Sequence, residues 1–315
     1  MPLSRVTVKA PATTANLGPG FDVFGLALAE PNDKVTLTSI PENIKIEVTG
    51  LSAETIPTVP AKNTASMVAN QMLKEFSLKT GVQIKIERGI LPGMGLGSSA
   101  ASAAAVAYGL NRMFNLKLDN KQLIRLAAKG EVASAGSEHA DNVSAAICGD
   151  FVIVKSYNPL EIVNLKSPPD MEVCVAFPHI ATPSNKTEKA RSVVPKLVPM
   201  DKLIYNLGKA AAMASGFATG DVDLIGASMS DAVAEPARAF LIPGYQQVKE
   251  NALKAGACGV AISGAGPAMI AIVNKKKADA PKIARAMKEG FETAGCKATS
   301  FATRPGKGVC LLEME

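Results

Sequence analysis

The residues best suited to chemistry lie in a run of alternating glycines that ends in two serines, residues 93–99 (GMGLGSS). Glycine lets the backbone adopt positive φ and approach a ligand closely. The alanine-rich residues 100–107 that follow favour a helix. A helix that begins at the serines presents unpaired N–H groups and the positive end of its dipole, an arrangement that suits a polyphosphate. Taken alone, the same residues also fit a glycine-rich turn with a serine N-cap.

The spacing of the glycines excludes two common phosphate loops. No lysine follows Gly97, as a P-loop requires, and the glycines do not have the G-x-G-x-x-G spacing of dinucleotide-binding folds. A second helix is predicted from Asp119 to Ala133, so this unit reads strand, loop, helix, helix rather than βαβ. The sequence therefore predicts a different kind of phosphate loop.

Three motifs resemble those of the GHMP kinases, a superfamily of small-molecule kinases. Residues 95–101 (GLGSSAA) resemble the nucleotide loop, and residues 11–25 and 263–267 resemble the first and third motifs in the same order. Together they span most of the chain. Within the superfamily, residues 15–22, 138–143 and 236–244 are most similar to the homoserine kinases. One departure is Leu91, which stands where that family has proline, and Pro92 follows it.

The resemblance implies an α+β chain with the two-domain GHMP kinase fold. We expect a ribosomal-protein-S5-like N-terminal domain over residues 1–167. A ferredoxin-like α/β sandwich, consistent with the alternating strands and helices of the second half, is expected over residues 168–315. Pro168 and Pro169 mark the boundary. The resemblance also implies ATP and Mg²⁺ as cofactors, and a homodimer.

The nucleotide site implied by the resemblance is one continuous segment. Its ATP-binding residues are Leu91, Pro92, Gly93, Met94, Gly95, Leu96, Gly97, Ser98, Ser99, Ala100, Ala101 and Ser102. Glu131 falls on the apolar stripe of the second helix, near its negative end, where a carboxylate is unfavourable. Either a basic side chain or Mg²⁺ would neutralise it; the resemblance favours Mg²⁺, with Ser98 or Ser99 as a further ligand.

The acceptor site is predicted from polar residues in three other segments. Pro11 to Gly20 is predicted as a loop that presents Asn16, with Asp22 just after it. Residues 136–142 form a polar cluster between helices, and Thr187 and Arg191 lie four apart on one helical face. The resemblance implies that the substrate is bound by Asn16, Asp22, His139, Asn142, Thr187, Arg191, Arg238 and Gly264. It also implies that the catalytic residues are Glu131, Asn142, Arg191 and Asp141.

Two arginines opposite a carboxylate suit a zwitterionic amino acid. An arginine can bind the α-carboxylate with a fork of N–H groups, and Asp22 or Asp141 can bind the ammonium. Asp141 as a general base remains an open alternative, because phosphoryl transfer depends chiefly on positioning and charge neutralisation.

The amino-acid composition limits the kinds of ligand and the cellular compartment that fit this sequence. A net charge of +6 fits anionic ligands, but aromatic residues make up only 4% and tryptophan is absent, so bases of single-stranded nucleic acid have few stacking partners. The five cysteines are scattered and never in C-x-x-C spacing, which argues against a disulfide framework or a zinc site. With neither a secretion signal nor a membrane span evident, we expect a cytoplasmic protein.

The function expected is ATP-dependent phosphorylation of the side-chain hydroxyl of L-homoserine. Two alternatives remain. Another GHMP kinase, such as a mevalonate or shikimate kinase, would use an acceptor with a carboxylate but no amine. A non-catalytic nucleic-acid-binding protein with an S5-like domain would need a continuous basic face, which the sequence does not indicate.

Overall fold

The computed structural model describes residues 3–135, 140–181, 183 and 186–315. The strands are β1 (Arg5–Asn16), β2 (Gly20–Ile40), β3 (Ile44–Gly50), β4 (Gly81–Arg88), β5 (Phe151–Tyr157), β6 (Leu160–Leu165), β7 (Met171–Pro178), β8 (Gly259–Ile262), β9 (Met269–Asn274), β10 (Ala298–Thr303) and β11 (Cys310–Met314). The helices are α1 (Thr64–Glu75), α2 (Ser98–Met113), α3 (Asn120–Ala135), α4 (Asp141–Cys148), α5 (Lys186–Ser192), α6 (Met200–Thr219), α7 (Val222–Ala227), α8 (Ala234–Arg238), α9 (Tyr245–Lys254) and α10 (Ala280–Thr293).

The first sheet has seven strands. Its main order is β11-β1-β2-β4-β3, and β5 and β6 extend it from β2. Only β3 and β4 pair in parallel among these strands as described; the other pairs are antiparallel. Helices α1 to α4 contact one another and this sheet. The alanines of α2, from Ala100 to Ala107, are buried between them, because small side chains let helix and sheet approach closely.

The first loop is shorter than the sequence predicts. Residues 11–16, expected in a loop, belong to β1, and the connection to β2 is only residues 17–19. Pro11 is tolerated because the register of β1 against β2 shifts between Pro11 and Thr13, and a bulge of this kind accommodates a residue that cannot donate to the ladder. The polar residues of this segment therefore stand on a rigid strand.

The second sheet is antiparallel, with the order β10-β7-β9-β8. Numbered within this half, the strands run 4-1-3-2, and the crossovers from β7 and from β9 contain helices. Helices α9 and α10 pack on each other, and α10 contacts β7 and β10. This is the ferredoxin-like arrangement that was expected for the second half.

The two sheets share an apolar core. Phe151 of β5 stacks on Phe217 of α6 with ring centroids 3.8 Å apart, and Phe24 of β2 meets Phe151 edge-on at 5.0 Å. All three rings are buried. Stacked and edge-to-face rings strengthen a contact beyond the area they bury, so they hold the halves in a fixed relation.

The final strand crosses back from the second half to the first. β11 pairs with β1, with Val6 opposite Met314, and Leu28 and Pro305 form an isolated bridge. Pro168 and Pro169 do lie between β6 and β7, where the chain passes from one sheet to the other. Residues 305–314, however, build on the first sheet, which a single boundary at residue 168 does not describe. Within the described part of the chain, no helix is long and apolar enough to cross a membrane.

Candidate active site

The glycine loop folds against the start of α2. Gly93, Gly95 and Gly97 all have positive φ, and Gly97 occupies the N-cap position with φ 63°. A side chain at Gly97 would collide with the Thr13 hydroxyl, and one at Gly95 would collide with the Ser263 carbonyl. The alternation of glycines is therefore required both by backbone conformation and by close packing. It leaves the first N–H groups of α2 at the end of the loop, where an anion is favoured.

A buried ion pair supports this loop from below. Arg88 donates to the Asp33 carboxylate at 3.1 Å and also to the Ser98 hydroxyl. Asp33 in turn accepts the backbone N–H groups of Gly89 and Ile90 at 3.0 and 2.9 Å. Burial raises the pKa of Asp33, and the charge of Arg88 opposes that rise. Arg88 thus ties the strand before the loop to the helix after it.

Glu131 lies in α3 beside the same helix start. Its carboxylate accepts the Ser99 hydroxyl at 3.1 Å, and the residue is 6% exposed. Burial raises the pKa of Glu131 to about 7; the hydrogen bond from Ser99 lowers it, and the charge of Asp141 raises it further. Of the two serines predicted as metal ligands, Ser99 contacts Glu131, whereas Ser98 contacts Arg88.

The turn between β1 and β2 forms the opposite wall. Asn16 and Leu17 have φ of 71° and 48°, and Asp22 has φ of 58°, which are left-handed values that non-glycine residues rarely adopt. Asn16 accepts the Asp22 N–H at 3.1 Å and donates to the Gly264 carbonyl at 2.8 Å. Asn16 therefore closes the turn and attaches it to the second half of the molecule.

Two arginines flank the ring of Phe21. The Arg191 guanidinium donates to both oxygens of Asp22, at 2.9 and 2.8 Å. Arg238 donates to the carbonyls of Ala190 and Gly264, at 2.8 and 3.1 Å. Their guanidinium carbons lie 5.3 and 4.9 Å from the ring centroid of Phe21. Such cation–π contacts fix both side chains, and they leave Asp22 already paired with a cation.

Asp141 is the first residue of α4 and is 3% exposed. It accepts the backbone N–H of Asn142 at 2.7 Å, while Asn142 accepts the Thr13 hydroxyl at 2.7 Å. Burial raises the pKa of Asp141 to about 6, and the charge of Asp22 adds to the rise. Two buried carboxyl groups, Glu131 and Asp141, thus face a region where extra positive charge would stabilise them.

These groups share one cavity of about 800 Å³. It is lined by residues 91–100 of the glycine loop and by Asn16, Asp22, Glu131, Asp141, Asn142, Thr187, Arg191, Arg238 and Gly264. Ala101 and Ser102, also predicted to bind ATP, do not line it; they are buried one turn into α2. His139 was predicted to bind the substrate and lies outside the described residues.

Two cationic residues of the cavity wall were not predicted. Alternate residues of β4 point to the buried face of the sheet, and Arg88 continues the series Val82, Ile84 and Ile86. A charged residue at a position expected to be buried could have indicated its functional role. Lys186 reaches the Gly266 carbonyl, and burial lowers its pKa to about 7. Its only signal was its position four residues before Ala190, the buried residue of α5.

Family models match both halves of the chain. The model "GHMP kinases N terminal domain" matches residues 63–150, and "GHMP kinases C terminal" matches residues 213–293. The first covers the glycine loop and Glu131, and the second includes Arg238 and Gly264. The class of protein that the fold and the cavity define is therefore a GHMP kinase.

Relatives that align with nearly the full length of the chain identify the family within this class. A homoserine kinase of Methanococcus vannielii is 46% identical over 99% of this chain and 100% of its own length. One of Halorubrum lacusprofundi is 43% identical over 98% of this chain and 99% of its own. The crystal structure of homoserine kinase from Cytophaga hutchinsonii superposes with a TM-score of 0.90 at 35% identity, covering 98% of both chains. This chain belongs to the homoserine kinase family of the GHMP kinases, and the predicted two-domain fold is confirmed.

Proposed function

We propose that this protein transfers the γ-phosphoryl group of ATP to the side-chain hydroxyl of L-homoserine, giving O-phospho-L-homoserine for threonine synthesis. The observation that carries the proposal is the single cavity shared by the glycine loop and by the wall of Asp22, Arg191 and Arg238. The loop suits a polyphosphate, whereas the wall offers both signs of charge to a zwitterion.

The nucleotide would rest its phosphates on residues 93–99. The N–H groups at the start of α2 and the Ser99 hydroxyl are hydrogen-bond donors for phosphate oxygens. Arg88, paired with Asp33, fixes the Ser98 hydroxyl beneath the loop. We assign these residues the binding and orientation of ATP.

Mg²⁺ fits the donors beside the loop. Glu131 and Ser99 provide a carboxylate and a hydroxyl oxygen, the hard ligands that Mg²⁺ prefers, and water and phosphate oxygens would complete its shell. No group of three or more His, Cys, Asp or Glu that could hold a metal occurs among the described residues. The two protein donors, Glu131 and Ser99, therefore suit a metal ion that enters the site already bound to the phosphates of ATP. When bound, Mg²⁺ would neutralise charge on the phosphates and on Glu131.

The acceptor would be oriented by charge. Arg238 is buried and held at two carbonyls, so its remaining N–H groups are fixed donors for the α-carboxylate. Asp22, shared with Arg191, is the anion available for the α-ammonium. This arrangement aims the hydroxyl away from the two arginines, toward the glycine loop.

Burial raises the pKa of Asp141 to about 6, which brings its titration close to the neutral pH range where a general base acts. If it takes the hydroxyl proton, Asp141→Asn should lower kcat about 10²–10⁴-fold and make the acid limb of the pH profile shallower, with only the titration of Glu131 left in it. If it only positions the substrate, the same variant should raise KM and leave the shape of the profile unchanged.

The substrate proposal is tested by incubating the protein with Mg·ATP and homoserine, mevalonate, shikimate or galactose while ADP release is measured. We expect homoserine to give the highest kcat/KM. Preferential turnover of mevalonate or shikimate would instead assign the site to an acceptor without an amine. Absence of ADP release with all four would contradict the kinase assignment.

We also propose a homodimer formed through the outward face of α6. Four large apolar side chains recur there at helical spacing and are at least half exposed: Met200, Leu203, Ile204 and Leu207. A stripe of this kind is complementary to a second copy of itself about a two-fold axis. Sedimentation of a Leu203→Glu/Leu207→Glu variant should give a monomer, and Lys202→Glu should remain dimeric. A monomeric wild type at micromolar concentration would overturn this proposal.

We place the protein in the cytoplasm. All five cysteines are free thiols, which suits a reducing compartment.

A further inference from the structure

Among the residues that the structure describes, Lys186 is the one lysine that lines the active-site cavity. It begins α5, and its Nζ donates to the carbonyl of Gly266. Lys186 also lines the same cavity as the loop. The feature to explain is a long cationic side chain that turns inward at a catalytic cavity instead of extending into water.

The carbonyl that holds Lys186 belongs to a turn packed directly on the loop. The Ala268 N–H donates to the Met94 carbonyl at 3.0 Å, and the Ser263 hydroxyl donates to the Gly95 carbonyl at 2.7 Å. A Cβ on Gly95 would lie only 2.8 Å from the Gly266 oxygen. The ammonium of Lys186 is therefore one carbonyl away from the segment that would hold the phosphates.

The groups around the Lys186 ammonium favour the binding of an anion next to it. A neutral carbonyl is its hydrogen-bond partner, and the charged group that acts most on it is another cation, Arg238. An ammonium has three donors, so a single carbonyl leaves two for a ligand. Burial, and secondarily Arg238, lowers the pKa of Lys186 to about 7.

Arg238 and Lys186 differ in what they can do with those donors. Arg238 is fixed at two carbonyls and stacks on Phe21, on the acceptor side of the cavity. Lys186 has a flexible stem and contacts the turn at its loop side. Lys186 is therefore attached beside the glycine loop, through Gly266, whereas Arg238 is attached beside Phe21.

We propose that Lys186 is a catalytic residue that binds the γ-phosphoryl group of ATP during transfer, from the side opposite the start of α2. The inference rests on the kinase function proposed above. In the transfer, the hydroxyl oxygen of the acceptor forms a bond to the γ-phosphorus. The bond from that phosphorus to the bridging oxygen breaks, its electron pair stays on ADP, and the hydroxyl proton passes to Asp141 or to solvent. Lys186 remains an ammonium throughout and neutralises charge on the transferring group.

The first test compares three variants of α5 in steady-state kinetics. Lys186→Met removes the charge and keeps most of the stem, Lys186→Arg keeps the charge, and Lys189→Met changes an exposed lysine of the same helix. We expect kcat of Lys186→Met to fall about 10²–10³-fold, with KM for homoserine changed less than threefold. Lys186→Arg should recover part of the loss, and Lys189→Met should match the wild type.

The second test uses nucleotides without an acceptor, so it does not depend on which acceptor is correct. By calorimetry, Lys186→Met should weaken Mg·ATP binding at least tenfold more than Mg·ADP binding. The wild type should also take up protons on binding Mg·ATP at pH 8, and Lys186→Met should take up fewer. All other charged or titratable groups that line the cavity remain in the variant: Arg88, Arg191, Arg238, His179, Asp22, Asp141 and Glu131.

Two results would overturn the assignment. One is a Lys186→Met enzyme with wild-type kcat and an unchanged ratio of ATP to ADP affinity. The other is a loss confined to KM for homoserine that disappears with 3-aminopropan-1-ol, which lacks the carboxylate; Lys186 would then bind the carboxylate. If the wild type phosphorylates no acceptor but the ATP preference depends on Lys186, the proposed substrate fails and the phosphate contact stands.

Discussion

The two sides of the cavity are built in different ways. The nucleotide side is a single segment whose shape comes from the backbone: three glycines at positive φ and the start of α2. The acceptor side joins residues far apart in the chain, such as Asp22, Arg191 and Arg238, and charged side chains hold it together. A site made of backbone excludes almost any added side chain, whereas a site made of side chains can lose one member and keep its shape.

Gly97→Val should have the largest effect and tests the backbone side. The valine would meet the Thr13 hydroxyl at a φ of 63° that a β-branched residue resists. We expect kcat/KM for ATP to fall by about 10³-fold or more, equivalent to roughly 4 kcal/mol. Gly295→Val is the matched control, since Gly295 also has positive φ but has no atom within 4 Å of its Cβ position. Wild-type ATP affinity in Gly97→Val, measured by calorimetry, would place the phosphates elsewhere.

Glu131→Gln should have the next largest effect, and it tests whether the nucleotide side also depends on a single charged side chain. The variant keeps the volume and the Ser99 contact but loses the charge. Turnover should fall about 10²–10³-fold, or roughly 3–4 kcal/mol of transition-state stabilisation. Glu289→Gln, at an exposed site, serves as the control in the ADP-release assay. Near-normal turnover would make Glu131 a structural residue.

Arg238→Ala tests the acceptor side, because the size of its effect should depend on whether the acceptor has a carboxylate. If Arg238 binds the α-carboxylate, kcat/KM for homoserine should fall by about 2–3 kcal/mol, mostly through KM. Phosphorylation of 3-aminopropan-1-ol should hardly change. Because Arg238 also contacts Ala190 and Gly264, thermal melting must accompany the kinetics, with Arg285→Ala as an exposed control. Equal losses on both acceptors would show that Arg238 does not recognise the carboxylate.

The last expected effect concerns stability and leaves the activity of both sides aside. The folded-state pKa of Glu131 is about 7, above its ordinary 4.5, so the folded protein binds the proton more tightly than the unfolded chain does. This contribution therefore weakens as pH rises from about 4.5 to 7. Ligand-free Glu131→Gln should be more stable than the wild type by roughly 3 kcal/mol at pH 8, and the difference should nearly vanish by pH 4.5. Urea denaturation at several pH values measures it, and a pH-independent difference would contradict the shifted pKa.

The nucleotide side was largely predictable from the sequence because its information is local. The glycine run and the alanines that follow specify a loop and a helix within some twenty residues, and Glu131 was recognisable on the stripe of α3. The fold was predictable through motifs that together span most of the chain. The start of β11, at Cys310, was not recognisable, since short strands at sheet edges carry little periodicity.

The acceptor side was predictable in its residues but not in its contacts. Arg191 and Asp22 were both named, yet nothing in the order of residues indicates that they pair with each other. The same holds for Asn16, which bonds the backbone of a turn 248 positions away. Such contacts depend on the packing of the two halves, and local propensity does not encode it.

The pairing of β11 with β1 has a consequence for how the protein folds. Val6 meets Met314 across this ladder, so an edge of the first sheet is covered only when residues some 300 positions later arrive. Contacts of such high sequence separation slow folding, and an uncovered edge strand is a template for aggregation in the meantime. Residues 1–167 made alone would leave β1 as an open edge. The sheet of the first half is therefore complete only after the C-terminal strand has been synthesised.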